Sequence, residues 1–183
     1  MRIKRLSAML LGTLTILAFL FSPGWAVSFF GGGGKVVQMV NTQTGAVATG
    51  TTNIPFDDTI PQITEGDEYM TLAITPTNAS NTLIIEVIAN VGSALERGQS
   101  VALFQDSTAN ALASVITHTR NSADVTFNVA LRHKMTAGTT SSTTFRVRAG
   151  ASSGSNTITF NGSAAGRLGG GVIVSSITIW EVE

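Results

Sequence analysis

No cysteine occurs anywhere in the 183 residues, so disulfides, thiol nucleophiles and zinc-thiolate centres are excluded together. Charge is scarce as well, with Lys, Arg, Asp and Glu making up only 12% of the chain. What charge there is has an uneven distribution: Arg2, Lys4 and Arg5 sit at the extreme N-terminus, and every acid lies at or beyond Asp57. From Val27 onward 8 basic residues stand against 11 acidic ones, a net charge of −3 that offers no general attraction for nucleic acid or anionic lipid. There are two histidines, His118 and His133, neither with an acid at a recognisable metal or triad spacing. No nucleophile-elbow motif surrounds any serine, so hydrolytic chemistry has no sequence support. The glycine runs Gly31–Gly34 and Gly169–Gly171 precede no helical pattern, which removes the dipole a phosphate cradle uses; the first reads as tether and the second as a close backbone approach within the sheet. No cofactor is implied, and the chain reads as non-enzymatic.

Long apolar runs are also rare, and the one that exists is at the start. Met1–Arg5 (MRIKR) is basic, Leu6–Phe21 (LSAMLLGTLTILAFLF) is apolar, and Ser22–Ala26 (SPGWA) joins a helix breaker to small residues. This is the three-part order of an export signal, a hydrophobic helix with its cut after Ala26. The alternative is a retained anchor, for which sixteen apolar residues before Pro23 fall short of the roughly 20 that span a bilayer. The reading divides the chain into a signal or uncut anchor at 1–26, a Gly-rich tether at 27–34 and one domain at 35–183, outside the cytoplasm and in contact with a membrane only through an uncut N-terminus.

What the sequence does have is glycine (19 residues) with abundant Thr, Ser and Val, the usage of an all-β chain rich in turns. No segment sustains helical periodicity. Period-2 alternation recurs instead at Met70–Leu72–Ile74, stopped by Pro76, then at Leu83–Ile85–Val87, Val101–Leu103, Val125–Phe127–Val129–Leu131, Phe145–Val147 and Ile158–Phe160. Asp106–Asn110 and Arg120–Ser122 carry turn chemistry. The closing segment Gly171–Glu183 is apolar on both faces, which marks a central strand or one covered by a neighbouring subunit. With Lys35–Asn41, Ala46–Asn53 and Leu112–Thr119 the count reaches about ten strands, too many for one open sheet of this size. The expected fold is a two-sheet β-sandwich of jelly-roll type.

Four longer phrases carry a resemblance: VVQMVNTQTGAVATGTTNIPFDDTIPQITEGDEYMTLAITP (Val36–Pro76), ALFQDSTANALA (Ala102–Ala113), HKMTAGTTSSTTFRVRAG (His133–Gly150) and RLGGGVIVSSITIWEV (Arg167–Val182). Together they resemble the head domains of phage tail fibres and tail spikes, a family also found in bacterial and prophage proteins. The resemblance implies a jelly roll like that of tumour necrosis factor and the complement heads, assembled as a homotrimer and used to attach to a cell-surface glycan or protein receptor. An alternative is a structural or matrix protein whose head serves only as a trimerisation module. The chain departs from a fibre in having an export signal and, between Ala26 and Lys35, neither collagen-like repeat nor heptad stalk.

Two groups of charged residues stand out. Asp57, Asp58, Glu65, Asp67 and Glu68 crowd one loop, where hard oxygen ligands for calcium compete with the reading of a solvated acidic loop and edge charges. No calcium-loop pattern supports the first. Arg132 and Lys134 alternate against Phe127, Val129 and Leu131, as Arg146 and Arg148 do against Phe145 and Val147. If these strands pair as a hairpin through Thr136–Ser142, four cations share one sheet face, offset either by Glu86 or Asp106 or by an anionic receptor. Tyr69, Phe56 and Trp180 are the aromatics available for sugar stacking, with core or interface packing the competing fate of Trp180. Asn78-Ala79-Ser80 and Asn161-Gly162-Ser163 fit the glycosylation pattern, a short one that recurs by chance.

Overall fold

Alternating segments become strands throughout the computed structural model, which describes residues 34–95, 98–118, 125–154, 156–163 and 166–183. The export signal, the tether before Gly34 and the Arg120–Ser122 turn lie outside the described residues. In chain order the strands are β1 (Val36–Thr44), β2 (Ala48–Gly50), β3 (Asp67–Ile74), β4 (Thr82–Ser93), β5 (Gly98–Gln105), β6 (Ala113–His118), β7 (Val125–Thr136), β8 (Thr143–Ala151), β9 (Ile158–Phe160), β10 (Gly162–Ser163), β11 (Gly166–Arg167) and β12 (Ser175–Val182). All pairings among the named strands are antiparallel.

Two sheets hold the long strands. One runs β1-β12-β4-β9-β2 with β7 on the other side of β4, and the second runs β3-β8-β5-β6. Each sheet turns one apolar face inward. Leu83, Ile85, Val87, Ala89 and Val91 of β4, Ile177 and Ile179 of β12, and Val129 and Leu131 of β7 meet Met70, Ile74, Val101, Leu103, Phe145 and Val147 of the opposite sheet. The result is an antiparallel β-sandwich with one continuous core. The expectation for the last strand holds in its placement: β12 is central, flanked by β1 and β4. It begins at Ser175, later than the alternation suggests, and Val172 is 82% exposed.

Strand β5 is buried on both faces, because its outer residues Ala102 and Phe104 pack under Ile54, with Ile63 and Ala111 alongside. The segment after β2 therefore crosses the outside of the four-stranded sheet. Missing side chains permit the crossing: a Cβ on Gly150 would lie 2.7 Å from both Ile54 N and Thr52 O, and one on Gly98 would lie 1.9 Å from the Phe56 ring.

One expectation about a turn is corrected. Gly169–Gly171 is a short 3-10 turn outside the sheet, with φ of 57°, 65° and 92°, so these glycines supply left-handed backbone and not a close approach between strands. Asn161 of the second glycosylation pattern is only 1% exposed; its amide donates to the Thr44 and Ala46 carbonyls and its oxygen accepts from Ser175 Oγ, which makes it an internal brace.

One buried side chain sits against the grain of the core. Gln99 continues the inward alternation of Val101 and Leu103, yet neither atom of its buried amide has a hydrogen-bond partner among the described residues. Replacing an unpaired buried amide by an apolar group of similar shape removes a desolvation cost. Gln99→Met is expected to raise stability by about 1–2 kcal/mol, read as a higher midpoint in urea with unchanged slope.

Candidate functional site

The four cations do not share a face. β7 pairs with β4, and β8 pairs with β3 and β5, so the segment 137–142 crosses between the sheets and no β7–β8 hairpin forms. Arg132 and Lys134 lie on the outer face of the six-stranded sheet, and Arg146 and Arg148 on the outer face of the four-stranded one. The like-charge conflict that a hairpin would create is absent because consecutive long strands are dealt to opposite sheets.

Three of the four are matched within the chain. Arg132 Nη2 is 2.7 Å from Glu86 Oε2 on the neighbouring strand. Arg146 donates from Nε to the Asp106 carbonyl at 2.9 Å and pairs with Glu68 at 3.1 Å. Arg148, the most enclosed, donates to the carbonyls of Glu65 (2.9 Å) and Gly66 (2.7 Å) and stands 3.6 Å from Glu68. Arg148 thus ties the acidic loop to the sheet beneath it. Arg148→Gln is expected to cost about 1–2 kcal/mol of unfolding stability through the loss of these bonds, which a denaturant titration reads directly. Lys134 has no ion pair among the described residues.

The acids of that loop are spent separately. Asp57 accepts from Thr59 N and Oγ1, bonds that hold its carboxyl below the usual range. Asp67 accepts from Thr52 N and Oγ1, Glu65 from Gln62 N, and Glu68 from Arg146. Among the described residues no three His, Asp or Glu side chains gather as metal ligands. Asp58 is exposed in the same loop.

The aromatics part company. The half-buried Tyr69 sits at a bulge in β3 and stacks on Phe160 of the opposite sheet, centroids 4.9 Å apart and planes 9° from parallel. Burial first, and then the Asp67 charge, push its phenol well above the ordinary tyrosine range. Phe56 covers Gly98 and stands at a tilt to His118, centroids 6.4 Å apart. His133 faces inward from β7, half-buried, and burial lowers its pKa. Trp180 is half-buried on the outer face of β12.

Around Trp180 the register builds a row. Met39, Trp180, Ile84 and Lys134 stand opposite one another across β1, β12, β4 and β7. The next row, Asn41, Thr178, Glu86 and Arg132, is polar and internally bonded, with Asn41 Nδ2 donating to Thr178 Oγ1 at 2.8 Å. On the other side of the apolar row lie Val36 and Val182. Met39 is 57% and Val36 53% exposed, so an apolar band crosses the outside of a sheet whose inside already forms the core.

On the open flank of the sandwich, where β1 and β3 are the edges of their sheets, lies a cleft of about 200 Å³ lined by Thr42, Thr44, Tyr69, Met70 and Thr71. Sequence reading picked out Tyr69 and missed the threonines, which are ordinary strand residues until two edges face each other. It also missed Glu181, which is fully buried near the end of β12. Its carboxylate accepts from Gln38 Nε2, Thr77 N, Thr77 Oγ1, Asn78 N and Asn81 Nδ2. Burial pushes the group up, and the hydrogen bonds from Gln38, Thr77 and Asn81 outweigh it, bringing the pKa to about 2.

No family model matches the chain, and no curated protein matches it in sequence. Among solved structures it is similar to the C-terminal domain of EclA, a sugar-binding protein, at 18% identity over 62% of this chain and 73% of that one, TM-score 0.35. It is also similar to the Eiger TNF of S. frugiperda, at 8% identity over 79% and 93%, TM-score 0.45. A third is the VP2 subviral particle of infectious bursal disease virus, at 10% identity over 91% and 42%, TM-score 0.34. Overlaps at these scores bear on neither activity nor partners.

Proposed function

We propose that the chain is an exported, non-enzymatic jelly-roll head that assembles as a homotrimer and attaches to a cell-surface glycan. The observation that carries this reading is the apolar band of Met39, Trp180 and Ile84 on the outside of the six-stranded sheet. A sandwich needs one apolar face per sheet; a second one is surface that a neighbouring copy would cover. The winding supports a jelly roll, since after β3 every connection up to β9 except β5–β6 passes from one sheet to the other. Export rests on the N-terminal pattern MRIKR followed by Leu6–Phe21.

The pairing of Arg132, Arg146 and Arg148 within the chain favours a second reading, a trimerisation module with no ligand. Binding of the full chain to a glycan array separates the two. Signal on the array supports the attachment head; none on any glycan, from a trimeric sample, supports the module.

A further inference from the structure

We infer that the cleft between β1 and β3 is a binding site for a single neutral sugar ring; this rests on the reading of the domain as a glycan-binding head. Its size comes first. At about 200 Å³ the space is below the roughly 300–1,000 Å³ of pockets for drug-sized ligands, and it suits one pyranose better than a peptide or a lipid chain.

The lining selects the chemistry. None of Thr42, Thr44, Tyr69, Met70 and Thr71 is charged, so an anion entering the cleft would shed water without gaining a counter-charge. Hydroxyls are what the walls offer. Thr42 makes no side-chain hydrogen bond among the described residues, and Thr44 Oγ1 accepts from Ala46 N and keeps its proton to donate; Thr71, opposite Arg146, has its side chain on the outer face. The facing strand edges add backbone N–H and C=O groups that no described strand pairs with. A strand-forming peptide would use the same groups, but the β3 edge is broken at the cleft itself, by the irregularity between Glu68 and Met70, which interrupts continuous pairing there. A polyhydroxylated ring needs no continuous edge.

Tyr69 supplies the aromatic wall. Stacking on Phe160 fixes its plane, so the ring is in place before any ligand arrives. Its enclosed hydroxyl has no hydrogen-bond partner among the described residues, so it is the ring and not the phenol that is positioned by its neighbours.

The test uses the fact that Tyr69 is the only tyrosine in the chain. Full-length protein grown with a ring-fluorinated tyrosine has one fluorine resonance, to be titrated with the methyl glycosides of glucose, galactose, mannose and fucose, and with sialic acid as the charged comparison. The expected result is a saturable shift with at least one neutral glycoside at millimolar concentration and none with sialic acid. The variant Thr42→Val keeps the side-chain shape and is expected to bind about fivefold or more weakly with its melting temperature unchanged. Sugar affinity unaltered in that variant, or sialic acid bound as well as any neutral sugar, overturns the inference. Glycan-array binding without any fluorine response also overturns the cleft while leaving the attachment head standing; silence in both experiments removes both.

Discussion

Glu181→Gln is expected to lower the unfolding free energy by about 3 kcal/mol at neutral pH, on the order of 10 °C in melting temperature. The size of the loss follows from linkage: a carboxyl at 4.5 when unfolded and at about 2 when folded contributes about 1.36 kcal/mol for each pH unit between the two values. The substitution removes the charge and turns half of an acceptor into a donor. Each hydrogen-bond partner of the Glu181 carboxylate, from Gln38 and Thr77 to Asn78 and Asn81, turns an N–H or O–H toward it, and the backbone N–H groups of Thr77 and Asn78 can only donate, so the new amide N–H₂ would oppose them. Because the folded pKa is depressed, the stabilisation is complete above pH 4.5 and is lost as the pH falls through the folded value near 2. The difference between wild type and Glu181→Gln should therefore be constant above pH 5 or so and shrink toward acid. Denaturant titrations across that range measure it. A difference that does not change with pH would assign the loss to packing in place of charge.

Trp180→Glu is expected to turn the proposed trimer into a monomer with its fold intact. The residue lies at the middle of the apolar row, between Met39 and Ile84, on a face separate from the inter-sheet core of Ile177 and Ile179. Central tryptophans of interfaces commonly contribute about 2 kcal/mol or more each, some thirtyfold in affinity, and a trimer meets that loss at each of its contacts. A carboxylate set among apolar groups, one row from Glu86, adds desolvation and repulsion. Light scattering on Gly34–Glu183 should give three times the chain mass for wild type and a single mass for the variant, with the same circular dichroism. A monomeric wild type, or a variant that stays trimeric, would take the outer face out of the assembly.

The two results bear on different levels of the same strand. In β12 the inward residues Ile177, Ile179 and Glu181 alternate with the outward Ser176, Thr178 and Trp180, and the alternation alone predicts that Trp180 and Ile179 face opposite ways. It does not predict that Glu181 is sealed from water. That depends on the 75–81 segment folding over the sheet end and bringing Thr77, Asn78 and Asn81 to a residue about a hundred positions away. Sequence patterns carry no such distance.

Period and composition by themselves determined that this protein is all-β, where most of its strands run, and which residues face inward on β3, β4, β7 and β8, because side-chain alternation is a local property of extended backbone; for β12 they left a central strand and one covered by a neighbouring subunit both open. Only the tertiary structure decided which strands pair. It sent β7 and β8 to different sheets, so that Arg132 met Glu86 while Arg146 and Arg148 met Glu68; it laid the segment after β2 across Gly150; and it opened a cleft where the edges of β1 and β3 face each other. The physical reason is that pairing is chosen by the burial of whole faces against each other, a sum over residues far apart in the chain, and no single stretch of sequence contains it.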